Sequence, residues 1–84
     1  VAIKPQYFSA MEKKYAEIYS RIGNNLKKAR TELKLSQEQL AKRTSKIDRS
    51  KISDIENAKE DFMFSTLLEL ANALDVDVEE LTRR

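Results

Sequence analysis

Apolar residues recur at spacings of three and four along most of this chain of 84 residues. That period marks one face of an α-helix. The longest stripe is Met11, Tyr15, Ile18, Ile22, Leu26, Ala29 and Leu33. It predicts a helix from Ala10 to about Leu33, opened by Ser9 with Glu12 as a capping box and preceded by a lead-in holding Pro5, Tyr7 and Phe8. Gly23-Asn24-Asn25 is a candidate interruption within it. Ser36 with Gln39 is a second capping pair and opens a short helix from Gln37 to about Thr44, with Leu40 and Ala41 inward. A connection ending at Ile47 leads to a third helix, Arg49 to Asn57, for which Asp48 is a good N-cap. Lys59 to Phe64 reads as a loop with two aromatics. Ser65 is expected to cap a fourth helix carrying Leu67, Leu70, Ala71 and Leu74, and Asp77 a fifth, Val78 to Arg83, anchored by Leu81. There is no β-hairpin signal and no repeat. The expectation is an all-α bundle of five helices around one core.

Composition narrows what such a bundle does. The chain is short enough for a single domain, and its 40% of hydrophobic residues fill a modest core without room for a buried cofactor. With no histidine and no cysteine, the usual general base, the common nucleophile pairs and zinc–thiolate sites are missing. The single glycine, Gly23, does not make a phosphate-binding loop. No enzyme activity, metal or cofactor is expected. The lack of cysteine favours a reducing compartment, and no apolar run approaches a membrane span, so a cytoplasmic location is expected. Net charge is only +2, but it is unevenly spread. Residues 1–59 hold 14 Lys and Arg against 7 Asp and Glu, whereas residues 60–84 hold 2 against 7. A basic part beside an acidic one suggests a polyanion on one side of the molecule.

The stretch IDRSKISDIENA, residues 47–58, is unusual for a surface helix. Ile52 and Ile55 supply an inner stripe, while the opposite side carries Ser50, Ser53, Asp54 and Asn57, flanked by Arg49 and Lys51. Long Glu, Lys and Gln side chains are the common choice on such a face. Together with LKKARTELKLSQEQLAKRT before it and TLLELANALDVDVEEL after it, this region resembles the lambda-repressor-like helix-turn-helix class, the Cro/repressor or XRE-type regulators. The resemblance runs from Ile22 to Leu81. It implies a compact five-helix lambda-repressor-like domain over residues 19–84, with residues 1–18 as an N-terminal helical extension.

What the resemblance implies for function answers the puzzle of the short side chains. In this family the helix after the turn enters the major groove, which admits a helix only at close approach. The base-reading positions fall on Arg49, Ser50, Ser53 and Asp54. Arg49 suits guanine, and Asp54 suits either a cytosine amino group or a pairing with Arg49 or Lys51 on its own helix. Gln37 matches a residue that touches the DNA backbone and often a base, and Asn57 and Lys59 match phosphate contacts. Lys51 is counted with the DNA-binding residues, Arg49 and Lys51 being otherwise solvated charges, and Lys42, Arg43 and Lys46 are phosphate candidates by charge and position or else idle. Arg30 and Glu56 are expected to form a partly buried ion pair that ties the first helix to the third.

The chain departs from the family where glycine is common after helices and in the turn. Those places hold Lys34, Ser45 or Lys46, Ala58 and Asp75, and the turn TSKID is one residue longer. The implied function is a transcriptional regulator that binds a palindromic double-stranded operator as a homodimer. Phe62, Phe64, Val78 and Leu81 are candidates for the dimer surface, Phe62 and Val78 ahead of Phe64 and Leu81, for which the alternative is filling the monomer core, with Tyr15 and Tyr19 of the first helix as a competing surface. The alternative is a protein-interaction module, such as an antitoxin that grips a toxin and represses its own operon.

Overall fold

The computed structural model describes the backbone from Ile3 onward and the side chains from Lys14 onward. Its helices are α1 (Ile3–Glu32), α2 (Gln37–Lys42), α3 (Arg49–Glu56), α4 (Phe64–Ala73) and α5 (Val78–Thr82), with no strand among the described residues.

α1 starts at Ile3, earlier than the expected position, and passes through Ser9 without a break. Pro5 is the third residue of this helix, where its missing N–H removes no intrahelical bond. The expected capping pair Ser9–Glu12 and the lead-in aromatics Tyr7 and Phe8 have side chains outside the described residues. The helix also continues through Gly23-Asn24-Asn25, and two contacts explain why. A Cβ at Gly23 would lie 2.5 Å from the carbonyl oxygen of Ile55 and 2.7 Å from that of Glu56, so the bare backbone lets α1 settle on the end of α3. Asn25 Nδ2 donates to the carbonyls of Leu81 at 3.1 Å and Arg83 at 2.7 Å, satisfying groups that the short α5 leaves open.

The core joins α1 to the other four helices. Leu26, Leu40, Ile52, Ile55, Leu67, Leu70, Leu74 and Leu81 are each less than 2% exposed, and Ile47 of the turn is buried beside them. α2 has the expected cap, with Ser36 Oγ accepting from the Gln39 N–H and the Gln39 side chain accepting from the Ser36 N–H. It ends at Lys42. α4 begins one residue before the expected Ser65 cap, with Met63 at the N-cap and no side-chain capping bond. Asp77 occupies the N-cap of α5, also without a side-chain bond.

Three helices end on residues with positive φ: Lys34 at 60°, Ala58 at 54° and Asp75 at 59°. Each end has the same paired bonds. Leu35 N–H reaches the Arg30 carbonyl, Lys59 N–H that of Asp54 and Val76 N–H that of Ala71. The residue before each bonds three back, Lys34 to Thr31, Ala58 to Ile55 and Asp75 to Asn72. These are Schellman ends, which glycine usually closes because it has no Cβ to clash in the left-handed region. Three of the four positions noted for lacking glycine therefore adopt that backbone regardless. Ser45 and Lys46, in the turn, do not.

Candidate nucleic-acid interface

α3 is built to expose one side. Asp48 caps its start, its carboxylate accepting from the Lys51 N–H at 2.9 Å. Ile52 and Ile55 anchor it in the core. Arg49 and Ser50 are exposed, and Ser53 and Asp54 half-buried, on the side turned away from the isoleucines. Asp54 makes no ion pair among the described residues, so the pairing with Arg49 or Lys51 is not formed. Lys51 instead lies 3.9 Å from Glu60, a loose and exposed pair that adds little to stability. Asn57 and Lys59 are exposed beyond the helix end, and Asn57 Nδ2 donates to the Ser53 carbonyl at 2.9 Å.

The end of α3 is fixed from below. Arg30 and Glu56 are each 8% exposed, and Arg30 donates to both carboxylate oxygens of Glu56, Nε at 2.7 Å and Nη2 at 3.0 Å. This is the planar fork that suits a buried carboxylate. Nη1 of Arg30 donates to the Leu35 carbonyl at 2.7 Å. Gln37 Nε2 donates to Glu56 Oε1 at 3.0 Å. The half-buried Gln37 at the start of α2 is thus tied to the end of α3 by the same carboxylate that holds α1. No buried side-chain nitrogen or oxygen among the described residues lacks a partner.

Some contacts that position this surface had no signal in the sequence. Arg43 Nη1 donates to the Ala73 carbonyl at 3.2 Å, so that this cation also braces α2 against α4. Glu69 of α4 accepts from both the N–H and the hydroxyl of Ser45, at 2.9 and 3.0 Å. Those two bonds, helped by nearby Lys46, hold the Glu69 carboxyl below its ordinary range. Partners 24 or 30 residues apart leave no local periodicity to read.

The geometry agrees with the comparison of this chain with known families. A helix-turn-helix family model, of the XRE-type and lambda-repressor-like class, matches residues 26–81. The chain belongs to that family. It is a family of DNA-binding domains, made up of regulators and not enzymes. The matched span begins within α1, so the first part of that helix lies outside it. No curated protein and no solved structure gives a significant match. No helix of the described residues is long and apolar enough to cross a membrane, and they contain no acidic, His or Cys cluster able to hold a metal ion.

Of the two residues for which core or surface was open, Leu81 takes the core and Phe64 the surface. Leu81 is fully buried, so it fills the core and has no area to give to a dimer. Phe62 is half-buried, with its ring edge-on to Tyr19 at 5.6 Å between centroids, and Tyr19 Oη donates to Asp61 at 2.6 Å. Val78 is half-buried against the core. Phe64 is 61% exposed, and it borders an open apolar cleft with Tyr15 and Ile18 of α1.

Proposed function

We propose that this chain is a sequence-specific transcriptional regulator that binds double-stranded DNA as a homodimer and works in the cytoplasm, with α3 in the major groove. The observation that carries the reading is the outer side of α3. Short polar groups and Arg49 face solvent on a helix whose inner side is locked into the core and whose end is held by a buried ion pair. That combination gives close approach together with a rigid platform, and direct reading of base edges needs both. In this reading Arg49, Ser50, Ser53 and Asp54 meet base edges, while Lys51, Asn57, Lys59 and the start of α2 at Gln37 meet the phosphate backbone.

One short helix reads too few base pairs to be selective in a genome, which is why a two-fold dimer on half-sites about 34–36 Å apart is the natural operator-bound form. A dimer making about eight phosphate contacts gives a log–log salt slope near −7. Binding to an operator selected from random duplexes, followed across a salt series, tests this. A slope near zero, or no duplex selected, refutes the DNA reading. On single-substitution operator libraries, Arg49→Ala should relax preference at one base pair per half-site, by about 1–3 kcal/mol. Lys59→Ala should weaken all sequences alike.

A second reading is favoured by the exposed apolar surface of Tyr15, Ile18 and Phe64. Exposed aromatics grouped around a cleft suit a protein partner. In this reading the chain is an interaction module that neutralises a toxin and represses its own operon. Sedimentation of Phe64→Glu, Ile18→Glu and Tyr15→Glu separates the two uses of that surface. Loss of the dimer in one of them assigns the surface to self-association. A dimer intact in all three frees it for another protein.

A further inference from the structure

The connection between α2 and α3 runs from the C-cap Arg43 to the N-cap Asp48 and contains no glycine. It is held from inside at two points. Ile47 is buried in the core, and the Thr44 hydroxyl accepts from the Ile47 N–H at 3.3 Å while donating to the Ala41 carbonyl at 2.8 Å. Ser45 and Lys46 between them are exposed. Ser45 is gripped from α4, where a single oxygen, Glu69 Oε2, receives both its backbone N–H and its hydroxyl.

We propose that Glu69 is a positioning residue for operator reading, one that fixes the turn and with it the placement of the N-terminus of α3. The inference rests on the DNA-binding reading above. Arg49 and Ser50 are the first two residues of α3, directly beyond the turn. Hydrogen bonds to base edges weaken steeply outside donor–acceptor distances of about 2.7–3.2 Å. A shift of about 1 Å at this end of the helix therefore removes base discrimination while leaving the buried isoleucines and the ion pair at the other end in place. An ionised carboxylate is the right anchor, because its bonds to N–H and O–H donors are charge-assisted and stronger than neutral ones. Glu69 gives the longer turn an external support four residues along α4 from Ala73, whose carbonyl holds Arg43.

The test uses the full chain with Glu69→Ala, Glu69→Gln and Ser45→Ala, profiled on single-substitution libraries of the wild-type operator, with thermal unfolding run alongside. Glu69→Ala should lower discrimination by about five-fold or more at the base pairs read by Arg49 and Ser50. The pair read by Asp54, further along the helix, should keep its preference. Glu69→Gln removes the same charge but keeps an oxygen able to accept from Ser45 through weaker, neutral bonds, so it should lose less discrimination than Glu69→Ala. Any uniform change in affinity caused by charge alone appears in both Glu69 variants and cancels in the preference. Ser45→Ala keeps the N–H arm and should fall between Ala and Gln at position 69. A profile for Glu69→Ala that superimposes on wild type, with only the unfolding temperature lowered, overturns the proposal and leaves the DNA reading intact. Amide hydrogen exchange gives a readout that needs no DNA. The Ser45 N–H should be protected in wild type and lose that protection in Glu69→Ala, and free exchange in wild type overturns the grip itself. A wild-type chain that selects no duplex defeats the DNA reading instead, whatever the exchange result.

Discussion

Tyr15 and Ile18 lie on the same stripe of α1 as Ile22 and Leu26, yet the first two are 43% and 44% exposed and the last two 8% and 0%. The period is the same and the residue types are similar. What differs is what the rest of the chain brings to each half. The second half of α1 receives the carbonyl end of α3 at Gly23, the end of α5 at Asn25 and the Glu56 carboxylate at Arg30. The stretch from Tyr15 to Tyr19 receives less. At Tyr19 the loop before α4 touches it through Phe62 and Asp61, and beyond that the stripe borders an open cleft. An apolar stripe states which side of a helix seeks burial, not how much of it the fold will cover.

Mutations paired across the two halves sharpen this contrast. The largest effect is expected for Glu56→Ala, which strands the buried Arg30 charge and should destabilise by about 3–5 kcal/mol. The matching change beside the exposed Tyr15 and Ile18, Glu17→Ala, should stay within about 0.5 kcal/mol. Urea unfolding measures both, and equal effects would mean that the ion pair does not anchor the second half. Next in size is Leu26→Ala, at about 2–5 kcal/mol for a fully buried leucine. Ile18→Ala in the monomer should lose less than about 1 kcal/mol, since much of that side chain already meets water. If Ile18→Ala approaches Leu26→Ala at concentrations where the chain self-associates, the stretch around Ile18 is buried in the dimer.

Gly23→Ala tests the close approach of α1 to α3. Helix propensity alone favours alanine by about 1 kcal/mol. The new Cβ would meet the carbonyls of Ile55 and Glu56 at 2.5 and 2.7 Å, and backbone atoms do not move aside as a flexible side chain does. The net result should be a destabilisation of about 1–3 kcal/mol. Ser20→Ala, on the exposed side of the same helix, should be neutral or slightly stabilising. A stabilised Gly23→Ala protein would show that the two helices do not touch there. The smallest effect belongs to Lys34→Gly at the end of α1. Relief of the left-handed residue favours glycine by about 1–2 kcal/mol. The greater freedom of glycine in the unfolded chain offsets about 0.4–1 kcal/mol of that. A gain of about 1 kcal/mol or less in thermal unfolding is expected, and a loss would mean that the Lys34 side chain contributes more than its backbone strain removes.

The elements themselves were legible in the sequence because their causes are local. Period, caps and charge act over three or four residues, which is why Ser36–Gln39 and Asp48 mark the starts of α2 and α3 correctly. The lack of glycine at Lys34, Ala58 and Asp75 was legible too, and the backbone there takes the left-handed form that the helix ends require. Two local signals misled. Gly23-Asn24-Asn25 looks like a break, but packing on α3 and the bonds to α5 keep the helix whole. Ser65 looks like a cap, but α4 starts at Phe64. The candidate interface divides in the same way. Which residues of α3 face outward follows from the spacing of Ile52 and Ile55 alone. How that face is held does not.

By itself, then, the sequence determined five helices, their inner faces and the family to which they belong, since each rests on interactions between near neighbours in the chain. Only the tertiary structure decided which apolar residues the core takes in and which it leaves exposed, Leu81 against Phe64 and Leu26 against Ile18. It alone joined Ser45 to Glu69 and Arg43 to Ala73. The physical reason is that burial and long-range hydrogen bonds depend on where separate helices meet. That is fixed by the packing of the whole core, and no short window of sequence contains it.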